Sequence, residues 1–191
     1  QAFGKIFCTL KFNENNASRN EAMMLDKSLT GGANLNLKRL YIITSSLTAS
    51  ASESIINGLR PFMGEENIIL VGTRTEGKNV ASLAFNSSSY GFILHPIVAT
   101  VYNGDGESNY ANGFAPNVEV DELMVEYDQD GYAIPLLPLG DPNETLLNTT
   151  LSLILGENAN AQQPNTRSGI STPYPTFNSV HYKYGNNLLI N

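Results

Sequence analysis

A serine- and threonine-rich stretch, "TSSLTASASESIINGL" (44–59), holds the hydroxyl groups that could act as nucleophiles. An apolar run precedes it and a helical pattern follows it, so this turn joins a strand to the N-terminus of a helix. The first N–H groups of a helix have no acceptor within the helix and carry a partial positive charge. Such a turn could stabilise an oxyanion during acyl transfer. The same residue types are also ordinary helix N-caps, so the turn alone does not decide between the two roles.

A serine nucleophile needs a base that accepts its proton. His95 lies in an apolar run and His181 in the polar tail, and neither belongs to a recognisable triad motif. No Gly-x-Ser-x-Gly sequence is present, which argues against an α/β-hydrolase. The remaining base is a lysine that desolvation holds neutral. Lys78 is the candidate because it lies between two predicted strands, in "LVGTRTEGKNVAS" (70–82); an ordinary solvated lysine is the alternative.

The elements around these residues predict an α/β fold. Two short runs rich in β-branched residues, "RLYIITS" (39–45) and "NIILVG" (67–72), are typical of strands buried on both faces. Between them, residues 49–63 place apolar side chains at helical spacing, and Pro61 predicts that this helix ends or kinks near Arg60. Strand, helix and strand together predict a βαβ unit with parallel strands.

The segments on either side of this unit add strands. Residues 4–12 predict a first strand, and the asparagine-rich stretch 13–36 predicts a long loop with one helical turn at 22–25. Residues 79–85 and 92–102 predict an antiparallel pair, that is, a hairpin beyond Lys78. The sheet is therefore expected to be mixed, with helices flanking it.

A second helix is predicted over 141–156. Asp141 is the expected cap, Pro142 occupies the first helical position, Glu144 completes a capping box and Gly156 supplies the stop. The buried stripe of this helix is expected to consist of four aliphatic residues: Leu147, Leu151, Ile154 and Leu155.

The composition excludes several functional classes. Eleven Lys and Arg against 18 Asp and Glu give a net charge of −7, which disfavours nucleic-acid binding. No apolar run reaches the roughly 18 residues that a transmembrane helix needs. Cys8 is the single cysteine, so an internal disulfide and a multi-cysteine metal site are excluded, and two histidines are too few for the usual zinc centres. No metal and no organic cofactor is predicted.

Considered together, "TASASESIINGL" (48–59) and the segment that ends in "GTRTEGKNVAS" (72–82) resemble the active-site segments of the tail-specific, or C-terminal processing, serine peptidases. The catalytic core of that family is shared with the tricorn protease. In the family a Ser-Ala-Ser-Glu motif opens a helix, and a strand ending in Val-Gly leads to Gly-Lys. The resemblance makes Ser50 the nucleophile, Lys78 the general base and the backbone N–H of Ala51 an oxyanion donor.

The resemblance covers roughly residues 35–156 and includes departures from the family pattern. Ser82 stands where many members have a glutamine that orients the lysine, so Ser82 is assigned a supporting role. "GFAPNVEVDE" (113–122) resembles a Gly-x-x-Pro-Asp-x-x-Val segment, with Asn117 in place of the aspartate. The family's Asp-x-Arg-x-Asn-x-Gly-Gly segment, which supplies the second oxyanion donor, and its PDZ-like domain are not found in the sequence.

These features imply the C-terminal part of a longer enzyme. Residues 1–156 are expected to form the C-terminal part of the peptidase core, and residues 157–191 a polar tail packed against it. The implied partners are a peptide or protein substrate, the N-terminal part of the same protein, and further copies of the chain that associate through uncovered apolar surface. The asparagine-rich style most resembles secreted or envelope members from Bacteroides-type bacteria, which implies a periplasmic or cell-envelope location.

The resemblance predicts a serine endopeptidase that cleaves unfolded or C-terminal protein segments through an acyl-enzyme. One alternative is a catalytically incomplete core that binds peptides without cutting them. Another is an esterase that depends on His95.

Overall fold

The computed structural model describes residues 2–31, 33, 35–87, 89–121, 129–132 and 136–156. By their contacts these residues fall into two units. The first contains the described residues of 1–42, 46–69 and 74–115, and the second contains those of 43–45, 70–73 and 116–156. The predicted tail 157–191, with His181, lies outside the described residues.

An antiparallel four-stranded sheet lies in the first unit. Its strands are β1 (Ile6–Phe12), β2 (Glu21–Met24), β5 (Val80–Ser82) and β8 (Ile97–Asn103), in the order β2-β1-β8-β5. Cys8, Ala99 and Val101 are buried on the face of this sheet that meets the helix α1 (Ala51–Met63).

The prediction of a helical turn at 22–25 is wrong, because this segment belongs to the strand β2. Its backbone pairs with the edge of β1, with Leu10 opposite Glu21 and Ile6 opposite Met24. The chain reverses between the two strands through a short 3-10 helix, Glu14–Arg19, whose N-cap side chain, Asn13, accepts the N–H of Asn16 at 3.1 Å. An available strand edge therefore decided the conformation, not the local propensity.

Of the two outcomes predicted at Pro61, an end or a kink, the end does not occur: the helix α1 continues to Met63. Proline removes the N–H that would bond to the carbonyl four residues earlier, which belongs to Asn57. The side-chain amide of Asn103 donates to that carbonyl at 3.4 Å. This tertiary contact replaces the lost bond, so the helix continues for its last turn.

The antiparallel pair predicted beyond Lys78 is present, but it is divided. β5 pairs with β8, and a separate hairpin pairs β6 (Phe85–Ser87) with β7 (Phe92–Leu94). The break falls at Pro96, whose carbonyl accepts the N–H of Leu83 at 3.3 Å. Because proline has no N–H to donate in return, the ladder cannot continue through it.

The chain segments β3 (Leu40–Thr44), β4 (Ile68–Gly72) and β9 (Val118–Glu119) form a second sheet in the order β3-β4-β9. β4 and β9 are parallel, with Val71 opposite Val118. β3 and β4 are neighbours joined through α1, as a βαβ unit requires. Parallel and antiparallel pairing both occur, so the predicted α/β class with a mixed strand arrangement is confirmed.

The helix α2 (Thr145–Leu155) lies in the second unit and starts later than predicted. Its cap is Glu144, whose carboxylate accepts the N–H groups of Leu146 at 2.9 Å and Leu147 at 2.8 Å. The expected cap, Asp141, instead accepts the N–H of Asn143 at 2.9 Å in the preceding turn. Gly156 ends the helix in the left-handed conformation, as predicted.

The buried face of α2 also differs from the prediction. Leu146 and Thr150 are its buried residues, whereas Ile154 and Leu155 of the predicted stripe are exposed. Within the described residues, neither α1 nor α2 has the length and hydropathy that a membrane-spanning helix needs.

Candidate active site

Ser50 occupies the N-cap of α1 in a strained backbone conformation. Its φ is 55° and its ψ is −109°. Positive φ is uncommon for a residue with a Cβ atom, and a conformation of this kind costs on the order of 1–3 kcal/mol. Such strain persists only where the surroundings over-determine it, and it is the backbone feature of a nucleophile on a sharp strand-to-helix turn. The side chain of Ser50 is half-buried.

Lys78 follows a glycine that its neighbourhood requires. Gly77 has a φ of +94°, and a Cβ atom there would lie 2.4 Å from the carbonyl oxygen of Ala111 and 2.6 Å from the N of Gly113. The backbone is therefore packed against the loop 104–113 with no room for a side chain. One residue earlier, the N–H of Glu76 donates to the carbonyl of Thr48 at 3.0 Å, which ties this segment to the turn before Ser50.

The carboxylate of Glu53 joins the two segments. The Glu53 side chain is fully buried. Its Oε2 accepts the backbone N–H of Ser50 at 3.0 Å and that of Lys78 at 2.8 Å. Its Oε1 accepts the N–H of Gly77 and the hydroxyl of Thr75, both at 2.6 Å.

This carboxylate is saturated with hydrogen bonds. A carboxylate offers about four lone-pair sites, and the four donors occupy two on each oxygen. A buried carboxylate needs such donors to compensate for its loss of hydration. Because Ser50 and Lys78 share Oε2, their backbone nitrogens lie within two hydrogen-bond lengths of each other.

The structure therefore brings together the backbones of the predicted nucleophile and base. Ala51 opens α1, so its N–H belongs to the first-turn donors that have no carbonyl partner within the helix. The side chain of Lys78 is exposed. The desolvation expected of a neutral lysine is thus not supplied by the part of the chain that the structure describes.

Two other predicted residues have exposed side chains. Ser82 is exposed at the end of β5, and His95 is exposed between β7 and β8. Among the hydrogen bonds of the described residues, none joins either side chain to Ser50 or Lys78.

Other potential reactive groups are held protonated. Burial raises the pKa of the Cys8 thiol and the pKa of the Tyr110 hydroxyl. A thiol and a phenol with raised pKa values are poor nucleophiles and bases at neutral pH. In the described ranges, no group of three His, Cys, Asp or Glu side chains is arranged as metal ligands.

Glu53 and Thr75 are the site residues whose roles sequence reasoning missed. A glutamate three residues after a serine N-cap is a capping-box pattern, so the sequence pointed only to a local bond with Ser50. Its bonds to Gly77 and Lys78, more than 20 residues away, have no local signature. Thr75 had no signal other than its position two residues before the Gly-Lys pair.

The loop that contacts Gly77 is also held by polar bonds. Asn103 begins it and accepts the N–H groups of Asp105 at 3.1 Å and Glu107 at 2.9 Å through its side-chain oxygen. In its middle, the side-chain amide of Asn79 donates to the carbonyl of Ser108 at 2.8 Å. The residue directly after Lys78 is therefore anchored to the same loop as the residue directly before it.

An α/β core that ties a strained serine at a helix start to a nearby lysine fits the class of serine hydrolases that dispense with histidine. Comparison with known families identifies the family within that class. The sequence model of the family described as "Peptidase family S41" matches residues 5–120, which is more than half of the chain. The chain belongs to peptidase family S41.

Solved structures that resemble this chain include a protein from Bacteroides fragilis NCTC 9343 that is assigned to the S41 proteases. It has 35% sequence identity to this chain and a TM-score of 0.70. The alignment covers 81% of this chain and 38% of that protein, so this chain spans well under half of that relative's length. The predicted family and α/β fold are thus confirmed.

A lipoprotein from Streptococcus agalactiae is less similar: it has 18% identity and a TM-score of 0.46, and the alignment covers 61% of this chain and 40% of that protein. The photosystem II D1 C-terminal processing protease has 26% identity and a TM-score of 0.34, and the alignment covers 49% of this chain and 23% of that protein. No significant match is found among curated proteins.

Proposed function

We propose that this chain carries the catalytic residues of a serine peptidase, with Ser50 as nucleophile and Lys78 as general base. The observation that carries the proposal is the convergence of both backbone N–H groups on Oε2 of the buried Glu53. Residues 28 positions apart in sequence are held side by side in this way. The strained backbone of Ser50 and membership of a peptidase family support the same assignment.

In the proposed reaction, Ser50 Oγ attacks the carbonyl carbon of the scissile peptide bond while the neutral amine of Lys78 takes its proton. The developing oxyanion accepts the N–H of Ala51 at the positive end of α1. The Lys78 ammonium then protonates the leaving amine, and the C–N bond breaks to leave an acyl-enzyme. Water, deprotonated by Lys78, hydrolyses this ester and regenerates Ser50.

The exposure of Lys78 defines what else the reaction needs. A lysine accepts a proton only as a neutral amine, and loss of hydration is what favours that form. We therefore assign the covering of Lys78 to the bound substrate and to further residues of the full-length protein. The second oxyanion donor is assigned to those further residues as well. The share of the Bacteroides relative that this chain spans, 38%, supports this division.

The proposed substrates are extended peptides, namely unfolded or C-terminal protein segments, because a scissile bond must reach Ser50 in an open chain. A location outside the cytoplasm, in the periplasm or cell envelope, is part of the same proposal. Both rest on the family resemblance of the Ser50 and Lys78 segments.

The competing function is peptide binding without cleavage. The exposed side chain of Lys78 favours it, because a lysine that acts as a general base is ordinarily buried away from water. A histidine-dependent esterase has no comparable support, since His95 makes no described hydrogen bond to Ser50.

A serine-reactive diaryl phosphonate distinguishes these functions in the full-length protein. Peptidase function predicts covalent labelling of Ser50, located by mass spectrometry of the digested protein, together with cleavage of an unfolded substrate. The Ser52→Ala protein is the matched control and should be labelled as well as the wild type. Unlabelled, non-cleaving wild type that still binds an unfolded peptide would overturn the peptidase and support the binding module.

A further inference from the structure

Thr75 is the side-chain donor among the four groups that bond to Glu53; the other three are backbone N–H groups. It lies on the segment between β4 and β5, and 4% of its surface is exposed. Its hydroxyl donates to Glu53 Oε1 at 2.6 Å and accepts the N–H of Phe114 at 2.8 Å. Both hydrogen-bonding capacities of this buried hydroxyl are therefore in use on two different segments.

Phe114, which bonds to Thr75 on the side opposite Glu53, is also held firmly in place. The N–H of Thr75 donates to the carbonyl of Phe114 at 3.1 Å, so these two residues exchange a pair of bonds. Gly113 has a φ of +73°, and a Cβ atom there would lie 1.9 Å from the carbonyl oxygen of Thr75. The ring of Phe114 stacks on that of the buried Tyr110, with 4.9 Å between the ring centroids. The segment 110–114 therefore holds Thr75 in place on the side opposite Glu53.

We infer that Thr75 is a positioning residue of the reaction, acting through Glu53 on Ser50 and Lys78. Without the hydroxyl, Oε1 retains one donor, Gly77, so one of the four bonds that fix the rotation of the carboxylate about Cγ–Cδ is lost. Oε2 would then leave the position in which it accepts from both Ser50 and Lys78. The inference rests on the proposed function, because it assigns to Thr75 the relative placement of that nucleophile and base.

The expected effect is on the rate and not on substrate binding. A displacement of about 1 Å at reacting groups can cost about 100-fold in rate, so a partial loss of positioning is expected to cost about 10- to 100-fold. Substrate contacts are untouched by a change behind Glu53, so KM should stay within about twofold of the wild-type value.

The test compares Thr75→Val with Thr75→Ser in the full-length enzyme. Thr75→Val keeps the size and removes the hydroxyl, so its kcat and its rate of phosphonate labelling should fall about 10- to 100-fold with little change in KM. Thr75→Ser keeps the hydroxyl and should restore kcat to within about threefold of the wild-type value. Thr100→Val, which removes a hydroxyl that makes no bond to Glu53, is the matched control and should leave kcat unchanged.

Each outcome decides one question. Wild-type kcat in folded Thr75→Val, or a Thr75→Ser protein as slow as Thr75→Val, overturns the inference. If Thr75→Val does not fold, Thr75→Cys replaces it: its S–H is a weaker donor, so an intermediate kcat is expected and an unchanged one contradicts the inference. Ser50→Ala and Lys78→Ala are measured alongside. Full activity in those two proteins would overturn the proposed function itself, whereas their inactivity with a normal Thr75→Val overturns the role of Thr75 alone.

Discussion

The cluster around Glu53 and the β6–β7 hairpin (85–94) lie in the same unit and are organised in opposite ways. In the cluster, one fully buried carboxylate accepts four hydrogen bonds from four residues on two segments of the chain. In the hairpin, three residue pairs form the ladder, and its apolar side chains are exposed, with Ile93 at 52% and Leu94 at 56%. Polar groups are inside and apolar groups outside.

The residues of the Glu53 cluster are each held by several hydrogen bonds at once, whereas the apolar residues of the hairpin contribute little to folding. A buried carboxylate is costly unless its donors are all present, so any change in the cluster disturbs every segment bonded to it. An apolar side chain that stays half-exposed gains little from the hydrophobic effect. Function should therefore be sensitive to the cluster and stability insensitive to the hairpin, and the following experiments test that division.

The largest effect is expected for the nucleophile. Ser50→Ala should lower peptidase activity of the full-length enzyme on the order of 10⁶-fold, as removal of a catalytic serine does, while the far-ultraviolet circular dichroism stays native. Ser52→Ala, two residues on along the exposed side of α1, should retain most of the activity. An inactive Ser52→Ala protein beside an active Ser50→Ala protein would place the nucleophile two residues further on.

A charge-preserving change at the base comes next. Lys78→Arg keeps a cation at the position but cannot lose its proton at any working pH. We expect kcat to fall about 10²- to 10⁴-fold, which is the usual contribution of general acid–base catalysis, and to match that of Lys78→Ala. Cleavage assays on one unfolded substrate compare the two proteins. Near-normal turnover by Lys78→Arg would exclude a lysine base.

The packing of Gly77 against the loop 104–113 is tested by adding one methyl group. Gly77→Ala must both adopt a φ of +94° and displace the carbonyl of Ala111, so the free energy of unfolding should fall by more than about 1 kcal/mol and kcat should fall with it. Gly106→Ala is the matched control: its φ is +80°, but a Cβ atom there meets nothing within 4 Å.

The Gly106→Ala protein should therefore lose only the free energy of unfolding that a positive φ costs a residue with a Cβ atom, and its kcat should be unchanged. Urea unfolding and steady-state kinetics measure the two quantities for each protein. Equal losses in both variants would mean that the contact with Ala111 does not hold Lys78 in place.

The smallest effect is expected in the hairpin. Ile93→Ala should change the free energy of unfolding by less than about 0.5 kcal/mol and leave kcat unaltered. Ile56→Ala makes the same chemical change at a fully buried position of α1 and should cost about 2–5 kcal/mol. A loss of activity in Ile93→Ala at unchanged stability would break the comparison, because the hairpin would then take part in function.

Much of the fold followed from local patterns. β1, β3, β4 and α1 lie where short apolar runs and helical spacing placed them, because those patterns report which face of an element is buried. The errors fall where a partner distant in sequence intervened. Residues 22–25 became a strand because β1 had an available edge, and α1 passed Pro61 because Asn103 donates to the carbonyl of Asn57.

The start of α2 illustrates a competition that local reasoning cannot resolve. Asp141 and Glu144 can each accept backbone N–H groups, and the sequence contains both within one turn. Asp141 bonds within the preceding turn, so Glu144 caps the helix. The residues that α2 buries, Leu146 and Thr150, are decided by what packs against the helix and not by where it starts, since residues four apart share a face wherever a helix begins.

The sequence by itself determined the α/β class, the serine-rich helix start and the Gly-Lys pair, because chemistry-bearing residue types and hydrophobic periodicity are properties of neighbouring residues. The tertiary structure alone decided that Glu53 would bond to Ser50, Thr75, Gly77 and Lys78 at once, and that the side chain of Lys78 would remain exposed. The physical reason is that saturation of a buried carboxylate depends on donors brought together by the fold. No spacing within one segment encodes them.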